Sequence, residues 1–283
     1  MKSPVCYMHG TFKPMDEASV SVNDLGVQRG YGIFDFLRVS NNIPLFIEDH
    51  LDRFFNSAQE MRLTFNESRH ELKDIVFQLI RENNMSSSGI RLILTGGESL
   101  DGYTIKAPEL VIVQQSITPP PDEMALAGIH LLSYPFQRQL SHVKTTDYLM
   151  AIWLQPWLRK NGGDDILYHH EGIFSECPRS NIFLVTNDGS LVTPGRNILK
   201  GITRKQVIRL ALEIGITVEE RDIALHEIRT AREAFITSST KRLVPVTQLD
   251  KYIFPKTHLN STTGRLWKSF LEYESSIKTS RFI

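Results

Sequence analysis

Two hydroxyl-containing stretches of the sequence could bind an oxyanion. Gly201-Ile-Thr-Arg204 directly precedes an apolar helical repeat, so its backbone N–H groups would lie at a helix N-terminus, where the helix dipole favours an anion. Thr237-Ser-Ser-Thr240 ends an apolar strand with four consecutive hydroxyls. Each also has a simpler interpretation, because Thr203 is an ordinary N-capping residue and hydroxyl clusters are common in turns. Neither stretch identifies a ligand on its own.

A lysine and a glutamate could supply a nucleophile and a counter-charge. Lys144 lies in Ser141-His-Val-Lys-Thr-Thr146, between a predicted strand and a predicted helix. Partial burial at such a joint lowers the pKa of a lysine and makes its amine nucleophilic. Glu176 stands just before a strand, where a fixed carboxylate could pair with a cationic nitrogen. Most lysines and glutamates are solvated surface charges, so neither residue alone indicates a site.

The ordered combination of these stretches is more specific than any one of them. The matching pieces are Arg29-Gly-Tyr-Gly-Ile-Phe-Asp35, His50-Leu-Asp-Arg53, Lys144, Glu176 with Asn181, Gly201-Ile-Thr-Arg204, and Phe235-Ile-Thr-Ser-Ser239 with Pro245-Val246. In this order and spacing, over nearly the whole chain, the sequence resembles the fold-type IV pyridoxal-phosphate enzymes. That family comprises branched-chain aminotransferases, D-amino-acid aminotransferases and aminodeoxychorismate lyases.

The resemblance implies a role for each charged residue. It implies that pyridoxal 5'-phosphate (PLP) is the cofactor and that Lys144 binds it as a Schiff base, then moves protons as a general base. Glu176 would face the pyridine nitrogen and keep it protonated. Arg53 would bind the phosphate with its guanidinium fork.

The resemblance also assigns the hydroxyl stretches and a tyrosine to the cofactor. The remaining phosphate ligands would be Ile202, Thr203, Ser238 and Ser239. A single phosphate thus accounts for both stretches. Tyr148 is a candidate donor to the ring oxygen of the cofactor, although branched-chain enzymes place this tyrosine one residue further on.

The substrate pocket is predicted from one further comparison with the family. Branched-chain enzymes carry Phe-Glu-Gly-Ile-Arg, where this chain reads Phe34-Asp-Phe-Leu-Arg38 and has bulky Phe36 in place of glycine. We predict that Phe34 and Phe36 line an apolar pocket. The candidate ligands of the substrate carboxylate are Arg38 and the backbone amides around Ser239 and Thr240. The predicted reaction transfers an amino group between an amino acid, branched-chain or otherwise apolar, and a 2-oxo acid.

Alternatives remain open at the level of sequence. D-amino-acid aminotransferases bind the carboxylate with an Arg-x-His pair on a loop where this chain has Asp101 and Tyr103, so a D-amino-acid enzyme would need a non-standard carboxylate site. An aminodeoxychorismate lyase would use the same cofactor and lysine but release pyruvate. A binding or regulatory protein could keep the fold without the chemistry, but the joint presence of Lys144, Glu176 and Arg53 argues against it.

Hydrophobic periodicity predicts the elements that must position these residues. Apolar residues at three- and four-residue steps predict helices, and short apolar or alternating runs predict strands. The two types mix without regular alternation, which favours an α+β fold. The predicted helices are 47–63, 69–82, 146–159 (broken near Pro156), 203–214 and 264–273. The predicted strands are 33–39, 89–95, 110–116, 129–134, 166–168, 181–186, 191–193, 217–220 and 234–237.

The proline run in Ile117-Thr-Pro-Pro-Pro-Asp122 predicts a domain boundary, because consecutive prolines hold the backbone extended and lack N–H donors. We predict a smaller N-terminal α+β domain at 1–117, a Pro-rich linker at 118–125 and a larger cofactor-binding domain at 126–283. The resemblance implies the two-domain fold-type IV architecture, with a barrel-like sheet in the larger domain and the cofactor between the domains. It also implies a homodimer in which the loop near residues 97–103 reaches the neighbour's active site.

Composition excludes several kinds of partner and location. Lys and Arg number 32 and Asp and Glu number 32, and this balance argues against nucleic-acid binding and charge-driven membrane binding. The longest apolar runs fall far short of the ~20 residues that span a bilayer, and the N-terminus lacks the apolar core of a signal peptide. Cys6 and Cys177 cannot build a disulfide framework, which predicts a cytoplasmic protein. His169 and His170 diverge on a strand and lack an obvious third ligand, so we predict no metal site.

Overall fold

The computed structural model describes residues 3–117 and 127–279. Within these residues the chain forms two compact units, one of residues 3–117 with 143–147 and one of residues 127–142 with 148–279. The predicted larger domain starts at residue 126, but the segment 143–147 belongs to the first unit because its backbone hydrogen-bonds to a strand of that unit. The predicted linker at 118–125 lies outside the described residues.

The first unit is built on one antiparallel sheet of six strands. The strands are β1 (Val5–Met8), β2 (Thr11–Pro14), β3 (Gly32–Ser40), β4 (Ile43–Pro44), β5 (Ser87–Thr95) and β6 (Glu109–Ser116), in the spatial order β2-β1-β6-β5-β3-β4. The helices are α1 (Leu25–Arg29), α2 (Ile47–Glu60) and α3 (Arg69–Asn83), with a short 3-10 helix at Met15–Glu17.

Alternation along β3 gives the sheet two chemically different faces. Ile33, Leu37 and Val39 belong to the apolar core, together with Leu51 and Phe54 of α2. The opposite face of β3 therefore carries Phe34, Phe36 and Arg38, which include the aromatic pair predicted to bind substrate. The predicted helices over 47–63 and 69–82 are confirmed as α2 and α3, because their apolar side chains repeat at helical spacing against this core.

The second unit is built on a mixed sheet of ten strands. The strands are β7 (Ile129–Pro135), β8 (Asp165–His170), β9 (Ile173–Phe174), β10 (Glu176–Cys177), β11 (Ser180–Val185), β12 (Leu191–Thr193), β13 (Val218–Glu220), β14 (Glu233–Ser238), β15 (Arg242–Leu249) and β16 (Tyr252–Ile253). The main path runs β13-β12-β11-β14-β15-β7-β8-β9, while β10 pairs with β11 and β16 with β15. Its curled, half-barrel form confirms the predicted barrel-like sheet.

Two neighbouring strands form the centre of this sheet. On β11 and β14, Phe183 lies opposite Phe235, and their rings stack with centroids 4.9 Å apart. Two residues further along the same face, Asn181 lies opposite Thr237. The stacked pair therefore holds in register the strand ends that carry the candidate polar residues.

The prediction of one helix over residues 146–159 is wrong in its first turn. The second unit has two short helices here, α4 (Leu149–Trp153) and α5 (Gln155–Lys160), and the three residues before α4 are not helical. Pro156 lies in the first turn of α5, where a missing N–H leaves no helical hydrogen bond unmade, so the predicted break near this residue is confirmed. The unit is completed by α6 (Ile202–Glu213), α7 (Thr262–Thr279) and a 3-10 helix at Leu225–Thr230.

Within residues 3–117 and 127–279, no helix is both long and apolar enough to cross a bilayer. The same residues contain no group of three or more His, Cys, Asp or Glu side chains arranged to hold a metal ion. Of the adjacent histidines considered above, His169 is half-buried and His170 is exposed.

Candidate active site

Lys144 is held in the first unit by the main chain of its own segment. The backbone N–H of Phe34 donates to the Lys144 carbonyl at 2.9 Å, and the N–H of Thr146 donates to Gly32 at 2.9 Å. Thr145 forms an isolated bridge with Ile33. The segment therefore lies along the start of β3, and the position of the lysine is fixed by a strand rather than by a flexible loop.

The Lys144 side chain points to an aromatic face of the sheet. Its Nζ lies 4.5 Å from the centroid of the Phe34 ring. Alternation along β3 places Phe36 and Arg38 on the same face as Phe34. The structure thus brings the predicted nucleophile beside the predicted apolar pocket, and both Phe36 and Arg38 are buried.

Phe36 occupies space that the neighbouring strand leaves open. A Cβ added to Gly89 on β5 would lie 2.0 Å from Cζ of Phe36, so the ring tip packs directly over the glycine backbone. Gly89 is the register partner of Arg38, and Phe36 is the partner of Arg91. Bulky Phe36 is tolerated in place of the glycine of branched-chain enzymes because the strand beside it carries no side chain at residue 89.

Arg91 was missed by sequence reasoning and lies on the same face. Its guanidinium carbon is 5.3 Å from the Phe34 ring centroid and 5.7 Å from that of Phe36. Its Nε is buried without a hydrogen-bond partner among the described residues. A lone arginine within the apolar run of β5 was the available signal, since a charge on a half-buried strand requires a partner or a ligand.

Arg53, the predicted phosphate ligand, is held by a buried carboxylate of β3. Its Nε donates to Asp35 Oδ2 at 2.8 Å and its Nη2 donates to Asp35 Oδ1 at 2.9 Å. His50, one turn earlier on α2, places Nδ1 2.6 Å from the same Oδ1. Asp35 is 0% exposed. Burial alone would raise the pKa of Asp35, but Arg53 and His50 outweigh it and hold that pKa far below its usual range.

Glu176 is held by a set of donors within the second unit. Arg138 Nε donates to Oε1 at 2.9 Å, and the backbone N–H of Leu199 donates to Oε2 at 2.9 Å. Asn181 Nδ2 lies 3.4 Å from Oε2. Arg138 also donates from Nη2 to the Ser141 carbonyl at 2.7 Å. Glu176 was predicted from the sequence but Arg138 was not, because Arg138 belongs to no local pattern and lies 38 residues away along the chain.

The N-terminus of α6 carries no side-chain cap. Its N-cap is Gly201, which has no side chain that could accept from the first amides of the helix. Ile202 and Thr203 are buried inside the first turn, so Thr203 is not the N-capping residue that the simpler interpretation expects. A Cβ added to Gly201 would lie 2.1 Å from Oδ1 of Asn181. The helix therefore begins against the side chain that also contacts Glu176.

The second hydroxyl stretch ends β14. Ser238 Oγ accepts from the Lys241 N–H at 3.1 Å and lies 3.4 Å from Thr240 Oγ1. Ser238 and Ser239 are half-buried, while Thr240 is exposed. Thr237 Oγ1 is buried and has no hydrogen-bond partner among the described residues. Because Thr237 is the cross-strand neighbour of Asn181, this hydroxyl and the start of α6 lie beside the same asparagine.

The chain is similar to proteins of one known family. The family model described as amino-transferase class IV matches residues 32–249. The chain belongs to this family. A Methanocaldococcus jannaschii protein, provisionally named a branched-chain-amino-acid aminotransferase, is 31% identical over 274 residues, covering 93% of this chain and 94% of that protein. A D-alanine aminotransferase of Staphylococcus epidermidis is 26% identical over 276 residues, covering 95% of this chain and 98% of that enzyme.

Solved structures of class IV aminotransferases and related enzymes share the fold. The T.th. branched-chain amino acid aminotransferase with pyridoxamine 5'-phosphate superposes with a TM-score of 0.87 at 24% identity, covering 96% of this chain and 94% of that chain. A Legionella pneumophila protein, provisionally named 4-amino-4-deoxychorismate lyase, superposes with a TM-score of 0.82 at 26% identity, covering 92% of this chain and 96% of that chain. The predicted fold-type IV architecture is confirmed.

The side chains present fit the cofactor on which class IV aminotransferases depend. PLP requires an amine, an anion for its pyridine nitrogen and donors for its phosphate. Lys144 offers the amine, and Glu176 offers a buried carboxylate as the anion. The uncapped first turn of α6 and the unpartnered Thr237 hydroxyl are the kind of donors that a phosphate accepts from.

For Tyr148, the structure gives a position in the chain and a degree of burial. It directly precedes α4, in the second unit, and its side chain is half-buried. No side-chain cap at this residue ties it to the helix. Its assignment as a cofactor ligand stays a prediction.

Replacing Gly201 by alanine should weaken PLP binding by about tenfold, because the new Cβ would displace either Asn181 or the first turn of α6. Titrating cofactor-stripped protein with PLP by absorbance measures this. Gly195→Ala is the control for crowding a glycine in the same unit, since its Cβ would lie 3.0 Å from the backbone oxygen of Glu220 on β13 and would also force a shift, but not at Gly201. Unchanged PLP affinity in Gly201→Ala would exclude the start of α6 from the phosphate site.

Proposed function

We propose that this class IV aminotransferase uses PLP to transfer an amino group between an apolar amino acid, including branched-chain ones, and a 2-oxo acid. The observation that carries the proposal is the position of Lys144 Nζ 4.5 Å above the Phe34 ring, on a sheet face that also bears Phe36. A primary amine beside an aromatic wall suits a reaction at the α-carbon of an apolar amino acid.

When bound, PLP supplies an electrophilic aldehyde for amines and a ring that accepts electron density. Lys144 would hold the cofactor through its Nζ, and the same nitrogen would be the base that holds and moves the α-proton of the substrate. Glu176 would face the pyridine nitrogen and keep it protonated, and the ion pair with Arg138 holds this carboxylate in place. The family resemblance assigns the phosphate to Arg53, to the amides of Ile202 and Thr203 and to the hydroxyls of Ser238 and Ser239, and Tyr148 would donate to the ring oxygen.

On the substrate side, Phe34 and Phe36 contact the apolar side chain. The α-carboxylate is bound by Arg38 or by the amides around Ser239 and Thr240, as predicted from sequence. Arg91 adds a second cation on the Phe34 and Phe36 face and is a further candidate for a carboxylate. The provisional name of the M. jannaschii relative supports a branched-chain donor.

The loop after β5 argues against the carboxylate site of D-amino-acid enzymes. Asp101 Oδ1 accepts from Ser99 Oγ at 2.8 Å and from the backbone of Tyr103 and Thr104 at 3.0 Å and 2.8 Å. Its other oxygen accepts from Thr104 Oγ1 at 2.6 Å. These hydrogen bonds, first among them that of Thr104, hold the pKa of Asp101 below its usual range. Asp101 therefore stabilises its own loop as an anion, which repels a carboxylate.

A panel of L- and D-amino-acid donors with 2-oxoglutarate tests the proposal. The purified protein should be yellow with PLP, borohydride should fix the cofactor on the peptide that contains Lys144, and L-leucine, L-isoleucine and L-valine should be the best donors. Pyruvate release from aminodeoxychorismate without amino transfer would favour the lyase, and preference for D-alanine the D-amino-acid enzyme. A colourless protein that takes up no PLP would overturn the enzyme assignment.

We also propose that the enzyme is a cytoplasmic homodimer. The family resemblance implies the dimer, and Cys6 and Cys177 are both buried and unbonded. Light scattering coupled to size-exclusion chromatography measures the mass. A monomer that is fully active at assay concentration would contradict the dimer.

A further inference from the structure

A buried group of ionisable side chains holds Arg53, and two of its members are used by none of the steps above. The group consists of Asp35 on β3 with His50 and Arg53 on α2. Asp35 is on the core-facing side of β3, where its neighbours in alternation are Ile33 and Leu37. A carboxylate among apolar residues is costly to bury, so its presence here calls for a reason beyond packing.

The carboxylate is saturated with donors on fixed elements. Oδ1 accepts from the backbone N–H of Phe36 at 2.7 Å, from His50 Nδ1 at 2.6 Å and from Arg53 Nη2 at 2.9 Å. Oδ2 accepts from Arg53 Nε at 2.8 Å. Two parallel bonds from one guanidinium to one carboxylate fix the plane of the guanidinium and its rotation in that plane. The N–H groups that remain on Arg53 therefore point in directions set by Asp35.

The charge of this group is confined to Arg53 and Asp35. Burial lowers the pKa of His50 and, together with Arg53 and Lys144, outweighs the opposing effect of Asp35, so the imidazole is neutral at neutral pH. A neutral imidazole beside a carboxylate must carry its proton on Nδ1 to donate to it. His50 thus holds Asp35 in place without competing with Arg53 as a second cation.

We propose that Asp35 and His50 are positioning residues that orient Arg53 toward the cofactor phosphate, and that this arrangement sets the preference of the protein for phosphorylated over unphosphorylated cofactor. The inference rests on the proposed function, since Arg53 is the phosphate ligand there. Asp35 and His50 act through Arg53 and make no cofactor contact of their own. An arginine with no fixed plane would still attract a dianion but would lose the geometric part of its recognition.

The ratio of the dissociation constants for pyridoxal and PLP separates this role from a merely structural one. We measure both constants by absorbance titration of the full chain after removal of cofactor. In Asp35→Asn, the Kd for PLP should rise about 10- to 100-fold while the Kd for pyridoxal changes less than about threefold, because only the phosphate contact is weakened. Equal weakening of both ligands, or of neither, would overturn the proposal.

A pair of His50 variants tests the positioning role if Asp35→Asn does not fold. The amide nitrogen of asparagine matches the position of imidazole Nδ1, whereas that of glutamine matches Nε2. His50→Asn should therefore retain the PLP preference of the wild type, and His50→Gln should reduce it. The reverse order, or identical ratios in the two variants, would contradict the role of the Nδ1 donor.

Binding of PLP and pyridoxal also distinguishes failure of the positioning role from failure of the proposed function. If the wild type binds neither PLP nor pyridoxal, the proposed function fails and the positioning role fails with it. A second outcome is that the wild type prefers PLP, that Arg53→Gln abolishes this preference and that Asp35→Asn leaves it intact. In that case Arg53 is the phosphate ligand, and only the positioning role is wrong.

Discussion

Lys144→Ala should lower kcat for amino transfer by about 10³-fold or more while leaving the fold intact. The variant removes the only atom of this residue placed for the reaction, the Nζ 4.5 Å above Phe34. The segment itself is held through main-chain atoms, including the Lys144 carbonyl that accepts from Phe34, and these bonds persist with alanine. Single-turnover kinetics with a bound amino acid measures the loss, and circular dichroism measures the fold.

Covalent labelling tests the assignment of Lys144 without a measurement of turnover. Borohydride should fix PLP to the wild-type peptide that contains Lys144 and should label the alanine variant at no specific site. Lys106→Ala is the matched control, because Lys106 is an exposed lysine of the same unit. Turnover within tenfold of wild type, or specific labelling at another lysine, would show that the nucleophile is elsewhere.

Much of the fold could be predicted from periodicity, and the failures have a common cause. Helices α2, α3 and α6 lie where apolar residues repeat at helical spacing. The segment before Leu149 has a pattern that continues a helix, yet Thr146 donates to the Gly32 carbonyl and extends along β3 instead. A local pattern cannot reveal a hydrogen bond to a partner more than 100 residues away.

The same limit applies to the candidate site. Lys144, Glu176 and Gly201 stood out because they form part of ordered motifs. Arg138 and Arg91 belong to no motif, and their importance follows only from strand register and side-chain contacts. Alternation along β3 could have indicated that Asp35 faces the core, but not that two residues of α2 meet it there.

The balanced net charge acquires a structural meaning from these contacts. From the sequence, Arg53 is assigned to a phosphate and Glu176 to a pyridine nitrogen, each as a single charge. In the structure each already has an ion-pair partner, Asp35 for Arg53 and Arg138 for Glu176. Each partner fixes the orientation of the charge that it pairs with, so the protein presents these hydrogen-bond donors and acceptors at fixed positions.

Glu176→Gln should both slow the reaction and destabilise the protein. Glutamine cannot hold a proton on a pyridine nitrogen by charge, so kcat should fall by about 10²-fold or more at saturating PLP. It also leaves Arg138 without its anion and turns an N–H₂ group toward donors, which should cost about 3 kcal/mol of unfolding free energy. Steady-state kinetics and guanidinium denaturation measure the two effects separately.

Two further variants separate catalysis from stability. Glu220→Gln removes the anion partner of Arg204 in the same unit, where the glutamate is 47% exposed, and should leave kcat unchanged. Adding Arg138→Met to Glu176→Gln removes the unpaired cation, so the double variant should regain much of the lost stability but none of the lost kcat. If turnover recovers together with stability, Glu176 acts by holding the fold, and the carboxylate that keeps the pyridine nitrogen protonated must be sought elsewhere.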